Sequence, residues 1–376
     1  MKYKNILVAA RILLLSFLLA SCQPAWEIII SSQGQDARSI SAKDVTFYIE
    51  ASQEKVDAIP LGQLLYANGF SLIEEVKVVT EGEESSSFTW DDVASTATIS
   101  NARVITIDEH KYLPTRVEVT PSSLAGDISL SILDIAPTMA DVLGLPDLPD
   151  STRGTVSNEN AKHGVMILLD GTQYQKLLSL ISAGKLPFFE TLPEISQGLT
   201  VYPPVTTSAT AALLTGTPPD VNGVYGYGYR STEITTLFDL AVNNGKRVVA
   251  VEGASLAFNL RNAETSLSGD RDGNGFSDDN VFRNSLDVIH SDMPDLLYIH
   301  FHEIDDMGHT YGPDSEEYES AIIRVDEYLA EIFQALPADT LIAIFADHGM
   351  HATENSGNHG TLTAADLIIP IIFLKK

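Results

Sequence analysis

Asp347 and His348 stand at the end of the apolar run Leu341-Ile342-Ala343-Ile344-Phe345-Ala346, and His359 follows eleven residues later, ahead of Gly360. A carboxylate beside an imidazole at the carboxyl end of a buried strand occupies the place where open α/β sheets gather their ligands. A polar turn with incidental histidines has the same residue types. A second pair, Asp305 and His309, is four residues apart, which brings both to one face of a helical turn. Asp170 closes the apolar run Val165 to Leu169, where a lone carboxylate is either a helix cap or one ligand among several. Thr206-Thr207-Ser208 opens the helical run Ala209 to Leu214. Hydroxyls there meet unpaired N–H groups and the positive end of the helix, which favour a bound phosphate or an alkoxide; they are equally good N-caps.

These groups need strands and helices to bring them together. Short apolar runs at residues 165–169, Asp295 to Phe301 and 341–346 read as buried parallel strands. Helices are expected after Asp170 with Gly184 as a stop, from Thr236 to Asn244 with Gly245 as a stop, and around Glu316 to Gln334. Asp134 to Gly144 is a further helix, with Asp134 as cap and Pro137 in its first turn. The whole reads as an α/β domain with a mostly parallel central sheet flanked by helices over residues 126–376. His300 and His302 lie on or next to a strand and read as structural. Residues 41–125 form a small α+β accessory domain with strands at Val45 to Ile49, Val76 to Thr80 and Ala102 to Ile107 and a helix at Pro60 to Asn68. Their pattern is similar to small accessory domains related to the molybdopterin-binding oxidoreductase fold, without a cysteine to ligate molybdenum.

Composition removes several function classes. The 376 residues carry 51 acidic and 23 basic side chains, a formal charge of −28. No basic surplus exists to replace counterions, so nucleic acid is excluded as the main partner. An anionic substrate must instead be attracted by local positive charge, such as bound cations. Residues 1–21 have a positive start (Lys2, Lys4, Arg11) and an apolar core, Ile12 to Ala20, too short to span a bilayer. Leu19-Ala20-Ser21 precede Cys22, the one cysteine of the chain. This resembles a bacterial lipoprotein signal, which implies lipidation at Cys22 and anchoring at the extracytoplasmic face of the cell membrane. Residues 22–40 are then expected to be a polar tether.

Asp270-Arg271-Asp272-Gly273-Asn274-Gly275 is similar to the first half of an EF-hand-type loop, with Asp270, Asp272, Asn274 and Asp278 as possible calcium ligands. The twelfth position is Val281 in place of glutamate, and an acidic surface turn is the other reading.

Five separated pieces resemble the alkaline phosphatase superfamily, in its type I phosphodiesterase/nucleotide pyrophosphatase branch. They are the Asp170 strand end, VYPPVTTSATAALLTG, EIDDMGH, ADHG and NHG. The branch has a nucleophilic threonine ten positions before the glycine of a Thr-Gly pair, which falls on Thr206, with Thr207 as the fallback. The resemblance implies Asp170, Thr206, Asp347 and His348 at one metal and Asp305, His309 and His359 at the other. Such mixed ligation suits zinc, with manganese or magnesium as alternatives. The implied activity is hydrolysis of a small phosphorylated substrate through a phosphothreonine. The segment LDIAPTMADVLGLPDLPDSTRG resembles the part that ordinarily closes the catalytic domain. Its position ahead of everything else implies a circular permutation of residues 126–160.

The chain departs from the pattern in two places. The substrate-binding asparagine expected three residues after the nucleophile falls on Ala209, which leaves Thr210 or Asn222 to compensate. Asn222 also replaces a turn histidine. No Cys-x-Pro-x-Arg or Ser-x-Pro-x-Arg is present, which speaks against a formylglycine sulfatase. Monoester hydrolysis, phosphonate cleavage and phosphosugar isomerisation on the same scaffold stay open, as does a non-enzymatic lipid-anchored binding protein.

Overall fold

The computed structural model describes residues 26–376 apart from residues 158 and 194. Residues 1–21 and Cys22, read above as a signal and a lipidation site, lie outside the described residues. The chain divides into two units, Met1–Ser122 and Ser123–Lys376.

The first unit holds a five-stranded sheet in the order Arg38–Ser41, Glu27–Ser31, Pro114–Pro121, Ile73–Thr80, Ser85–Thr89. A smaller antiparallel sheet joins Ala58–Pro60, Thr98–Ser100, Ile105–Ile107 and His110–Tyr112. Two expectations are corrected here. The tether is not one throughout: Glu27–Ser31 and Arg38–Ser41 pair as antiparallel strands, because Ile28 and Ile30 alternate inward between exposed Glu27 and Ile29. Val45 to Ile49 is not a strand but part of the helix Ala42–Ala51. Its start is fixed by a capping box, in which the Asp44 carboxylate accepts from Ser41 N at 2.7 Å.

The second unit is built on an eight-stranded sheet. In chain order its strands are β1 (Leu130–Ser131), β2 (His163–Leu169), β3 (Ser196–Leu199), β4 (Val248–Glu252), β5 (Glu264–Leu267), β6 (Leu296–Phe301), β7 (Thr340–Phe345) and β8 (Ile368–Lys375). They lie side by side as β1-β3-β8-β7-β2-β6-β4-β5. Every neighbouring pair is parallel except the two made by β8, which runs against both β3 and β7. The fold class is therefore α/β with a mostly parallel sheet, and β2, β6 and β7 stand next to one another at its centre. Each of these three is buried along its whole length, which is why they read as unbroken apolar runs.

Helices flank the sheet. Thr206–Thr215 is buried along its length and ends where Gly216 takes a left-handed conformation. Ser131 caps the turn Ile132–Asp134 that leads into the helix Ile135–Val142. Asp134, expected as the cap, supplies the reciprocal carboxylate of that box and pairs with Arg153. The core runs from this helix through Met166, Leu213, Phe238, Tyr298 and Phe345. Among the described residues, no helix is long and apolar enough to cross a membrane.

Candidate metal centre

The carboxyl ends of β2, β6 and β7 deliver Asp170, the segment after Phe301, and Asp347-His348. Because these strands are parallel and adjacent, residues remote in sequence arrive at one edge. Val165, Leu297 and Ile342 are register partners across the three strands. After β6 the chain turns directly into the helix Glu303–Tyr311, which presents Asp305 and His309 four residues apart. After β7 it runs through the short antiparallel pair His351–Ala352 and Gly357–Asn358 to His359. Asp366, buried in the helical turn Ala364–Leu367 that follows, accepts from His351 Nδ1 at 2.8 Å and from Thr361 N at 2.8 Å, which ties the two flanks of the loop together.

All seven residues singled out in the sequence meet. His348 Nε2 lies 3.4 Å from Thr206 Oγ1, from Asp170 Oδ1 and from Asp347 Oδ2. His309 Nε2 lies 3.3 Å from Asp305 Oδ2, and His359 Nε2 lies 3.7 Å from Asp305 Oδ1 and 3.1 Å from His309 Nε2. The two sets touch: the His348 and His359 rings stack with centroids 3.6 Å apart.

Each imidazole is oriented by the backbone. Nδ1 donates to Gly349 O from His348, to Pro204 O from His359 and to Gly357 O from His309, at 2.9, 2.9 and 3.2 Å. A carbonyl only accepts, so Nδ1 carries the proton and Nε2 is turned into the pocket, the arrangement that fixes metal-ligating histidines. Two of the three carboxylates likewise have one oxygen anchored. Asp347 Oδ1 accepts from Gly171 N and His348 N, and Asp170 Oδ2 accepts from His300 Nε2 at 3.0 Å. Asp170 Oδ1, Asp347 Oδ2 and Asp305 Oδ1 are shut off from solvent and accept no hydrogen bond. Buried oxygens left without partners are costly unless a cation takes them. Asp170 with Asp347 and His348, and Asp305 with His348 and His359, have ligand atoms within 4.8 Å of one another, so the donor set fits divalent cations.

The electrostatics agree. Burial, then the charges of Asp347 and Asp305, push the Asp170 carboxyl well above the usual range. Burial works against a charged His348, yet Asp347, Asp170 and Asp305 raise it to about 9. Burial and the neighbouring His348 lower His359 to about 4. Crowded carboxylates thus favour positive charge in the pocket.

The sequence reading missed a second group around Asp170. Glu252, at the end of β4, pairs with His300 Nδ1 at 3.1 Å and with His302 Nε2 at 2.9 Å. Although burial opposes its charge, these two histidines lower Glu252 to about 2. His300 and His302, set aside as structural, alternate along one strand end and so share a face; that spacing was the available signal. With Asp170 they too gather ligand atoms within 4.8 Å of one another.

Tyr227 was also missed. The residue is 54% exposed, but its hydroxyl lies 3.3 Å from His359 Nε2. Nothing in its spacing marked it. The proposed compensator Asn222 is corrected: Nδ2 donates to Thr217 O and Oδ1 accepts from Val224 N, so its amide holds a turn.

The calcium reading is corrected at Asp278. Its carboxylate is buried and accepts from His302 N and Glu303 N, the first amides of the helix Glu303–Tyr311. Asp270 accepts from Gly273 N and Gly275 N, and Arg283 pairs with Asp272 and Asp279. The loop satisfies itself as a set of acidic turns.

Comparison with known proteins agrees with part of this picture. Residues 259–368, less than a third of the chain, match the family model of type I phosphodiesterase / nucleotide pyrophosphatase. That segment holds Asp305, His309, Asp347, His348 and His359. Over 87 residues the chain is 34% identical to GPI ethanolamine phosphate transferase 3 of Saccharomyces cerevisiae, covering 22% of this chain and 8% of that protein. Over 109 residues it is 33% identical to GPI ethanolamine phosphate transferase 2 of Schizosaccharomyces pombe, covering 25% and 14%. The chain thus spans a small fraction of the length of these relatives. Among solved structures, phosphonoacetate hydrolase from Sinorhizobium meliloti 1021 is similar at 21% identity and a TM-score of 0.42, over 50% of this chain and 57% of that one.

Proposed function

We propose that the chain is a metal-dependent phosphoric ester hydrolase with Thr206 as nucleophile and two divalent cations, zinc first among them. The observation that carries this reading is the convergence of three imidazole Nε2 atoms and three unpartnered carboxylate oxygens beside the Thr206 hydroxyl. Asp170, Asp347 and His348 would hold one cation, and Asp305, His309 and His359 the other. Bound there, the cations supply charge stabilisation on the phosphoryl oxygens and lower the pKa of a hydroxyl or water.

The residues of the chain do the rest. Thr206 stands at the first position of its helix, where the dipole favours an anionic phosphoryl group. Its Oγ1 gives up its proton to solvent as it bonds to phosphorus, and the leaving oxygen departs with the electrons of the broken P–O bond and takes up a proton. Water then attacks the phosphothreonine, the bond to Oγ1 breaks, and the hydroxyl is restored. Asp170 is kept in place by His300, and Asp347 by Gly171 N and His348 N.

The same proposal takes residues 126–160 as the family's closing segment moved to the front, because β1 forms the edge strand of the sheet although it leads the unit. It takes residues 1–21 as a lipoprotein signal and Cys22 as the lipid anchor at the extracytoplasmic face of the membrane.

A Thr206→Ala variant is expected to lose hydrolysis of chromogenic phosphodiesters while retaining its metal. Full activity in that variant rejects the nucleophile, and activity surviving exhaustive chelation rejects the cations. The names of the curated relatives favour a second reading, in which the phosphothreonine passes its group, such as ethanolamine phosphate, to an alcohol rather than to water. Product analysis with an added alcohol acceptor separates the two.

A further inference from the structure

We infer that Tyr318 is the positioning residue that fixes the spacing of the two proposed half-sites, Asp170-Asp347-His348 and Asp305-His309-His359, by holding the Gly171 peptide between them. The inference rests on the two-cation reading above, and Tyr318 is not itself among the ligands.

Gly171 is where the half-sites meet. Its N–H donates to Asp347 Oδ1 at 3.1 Å. Its Cα lies against Asp305: a Cβ added there would stand 3.0 Å from Asp305 Cα. A shift of this one peptide therefore moves Asp170 and Asp347 relative to Asp305. Its carbonyl accepts from the Tyr318 hydroxyl at 2.7 Å, and the same hydroxyl accepts from Gln173 N at 2.9 Å. One oxygen thus spans the turn that follows Asp170. Tyr318 is fully buried in the first turn of the helix Glu316–Ala335, where Ser315 Oγ accepts from its N–H at 3.2 Å. Its ring reaches the other half-site: a Cβ on Gly308, the residue before His309, would stand 3.1 Å from Tyr318 Cδ2. Hydroxyl and ring of one side chain therefore touch the turn after Asp170 and the helix that carries Asp305 and His309. A further link leaves the same turn, where Gln173 Nε2 donates to Met350 O at 2.9 Å, two residues beyond His348. Contacts of this outer kind orient metal ligands, and a displacement of about 1 Å is enough to spoil the alignment of reacting groups.

The test uses full-length wild-type and Tyr318→Phe chains loaded with Mn2+. Two Mn2+ ions in adjoining half-sites couple magnetically, with a strength that falls steeply with their separation, and electron paramagnetic resonance reads it. Phenylalanine keeps the ring against Gly308 and removes only the hydroxyl. Expected are a bound pair of Mn2+ ions in both proteins, an altered coupling in the variant, and a fall in kcat of about 10–100-fold on bis(p-nitrophenyl) phosphate with KM little changed. Asp326→Asn is the control for lost stability alone: it lies on the same helix, and its carboxylate accepts from Phe188 N and Phe189 N at 3.1 and 2.9 Å. It is expected to lower Tm and leave the coupling as in wild type. Coupling in Tyr318→Phe equal to wild type overturns the inference, and so does an equal change in Asp326→Asn. Where Tyr318→Phe does not fold, Gln173→Pro set against Gln173→Ala takes its place with the same two outcomes. It removes the N–H given to the hydroxyl, at a residue whose φ is already −69°. An altered coupling in a protein that turns over no ester supports the inference and sinks the hydrolase reading alone. A wild-type chain that binds no pair of cations overturns both.

Discussion

Asp170 is the residue on which both clusters lean. One oxygen faces His348, while the other is clasped by His300, which Glu252 clasps in turn. A carboxylate–imidazole–carboxylate chain of this kind fixes the angle at which Asp170 offers its free oxygen. Glu252→Gln is therefore expected to weaken zinc binding by about 10–100-fold with the fold intact by circular dichroism. Chelator competition reads this directly; an unchanged dissociation constant would remove the network from the account. Single residues also explain what the sequence hid. Asp347, His348, Asp305 and His309 were legible because each follows an apolar run or a helical spacing. Glu252 was not, because it closes a strand whose other residues give no polar signal, and Tyr227 sits in a glycine-rich turn where a tyrosine reads as surface.

At the scale of elements, β2, β6 and β7 do the positioning, and the turns after them must be tight. Gly171 has φ +67°, and a Cβ there would stand 2.6 Å from Asp305 Oδ1. Gly171→Ala is thus expected to lower stability by more than about 1 kcal/mol and to weaken cation binding, because Asp305 must give way. Denaturant unfolding alongside a zinc titration checks both effects. The helix Leu237–Asn243 offers a pH test away from the site. Asp239 is 7% exposed, and it accepts from Arg261, Thr236 N and Asn262. Burial works against its charge, but these partners hold its carboxyl below the usual value. The stabilisation is present above the unfolded pKa of about 3.9 and is lost as pH falls through the lower folded value. Asp239→Asn is expected to cost about 1.5–3 kcal/mol near neutral pH, with the gap to wild type closing in acid. Buried strands and capped helices were readable by period and punctuation. The helix Ala42–Ala51 was misread as a strand because Val45 to Ile49 is apolar and β-branched, while its capping box decides the outcome locally.

For the whole molecule, a formal charge of −28 leaves an anionic ester nothing to approach except charge concentrated at one point. The proposed cations at the edge of the sheet would provide that, and they would also relieve the three unpartnered carboxylate oxygens. Folding and cation binding are then linked. Zinc at a thousandfold excess over its dissociation constant should add about 4 kcal/mol, a rise in Tm of roughly 10 °C for a unit of this size; a Tm indifferent to zinc and chelator would argue against the linkage. The most direct measurement is anomalous diffraction at the zinc edge from crystals of the zinc-loaded protein. Two peaks are expected, one between Asp170, Asp347 and His348 beside Thr206, the other between Asp305, His309 and His359. A loaded crystal with no peak within reach of Thr206 would contradict the two-cation reading.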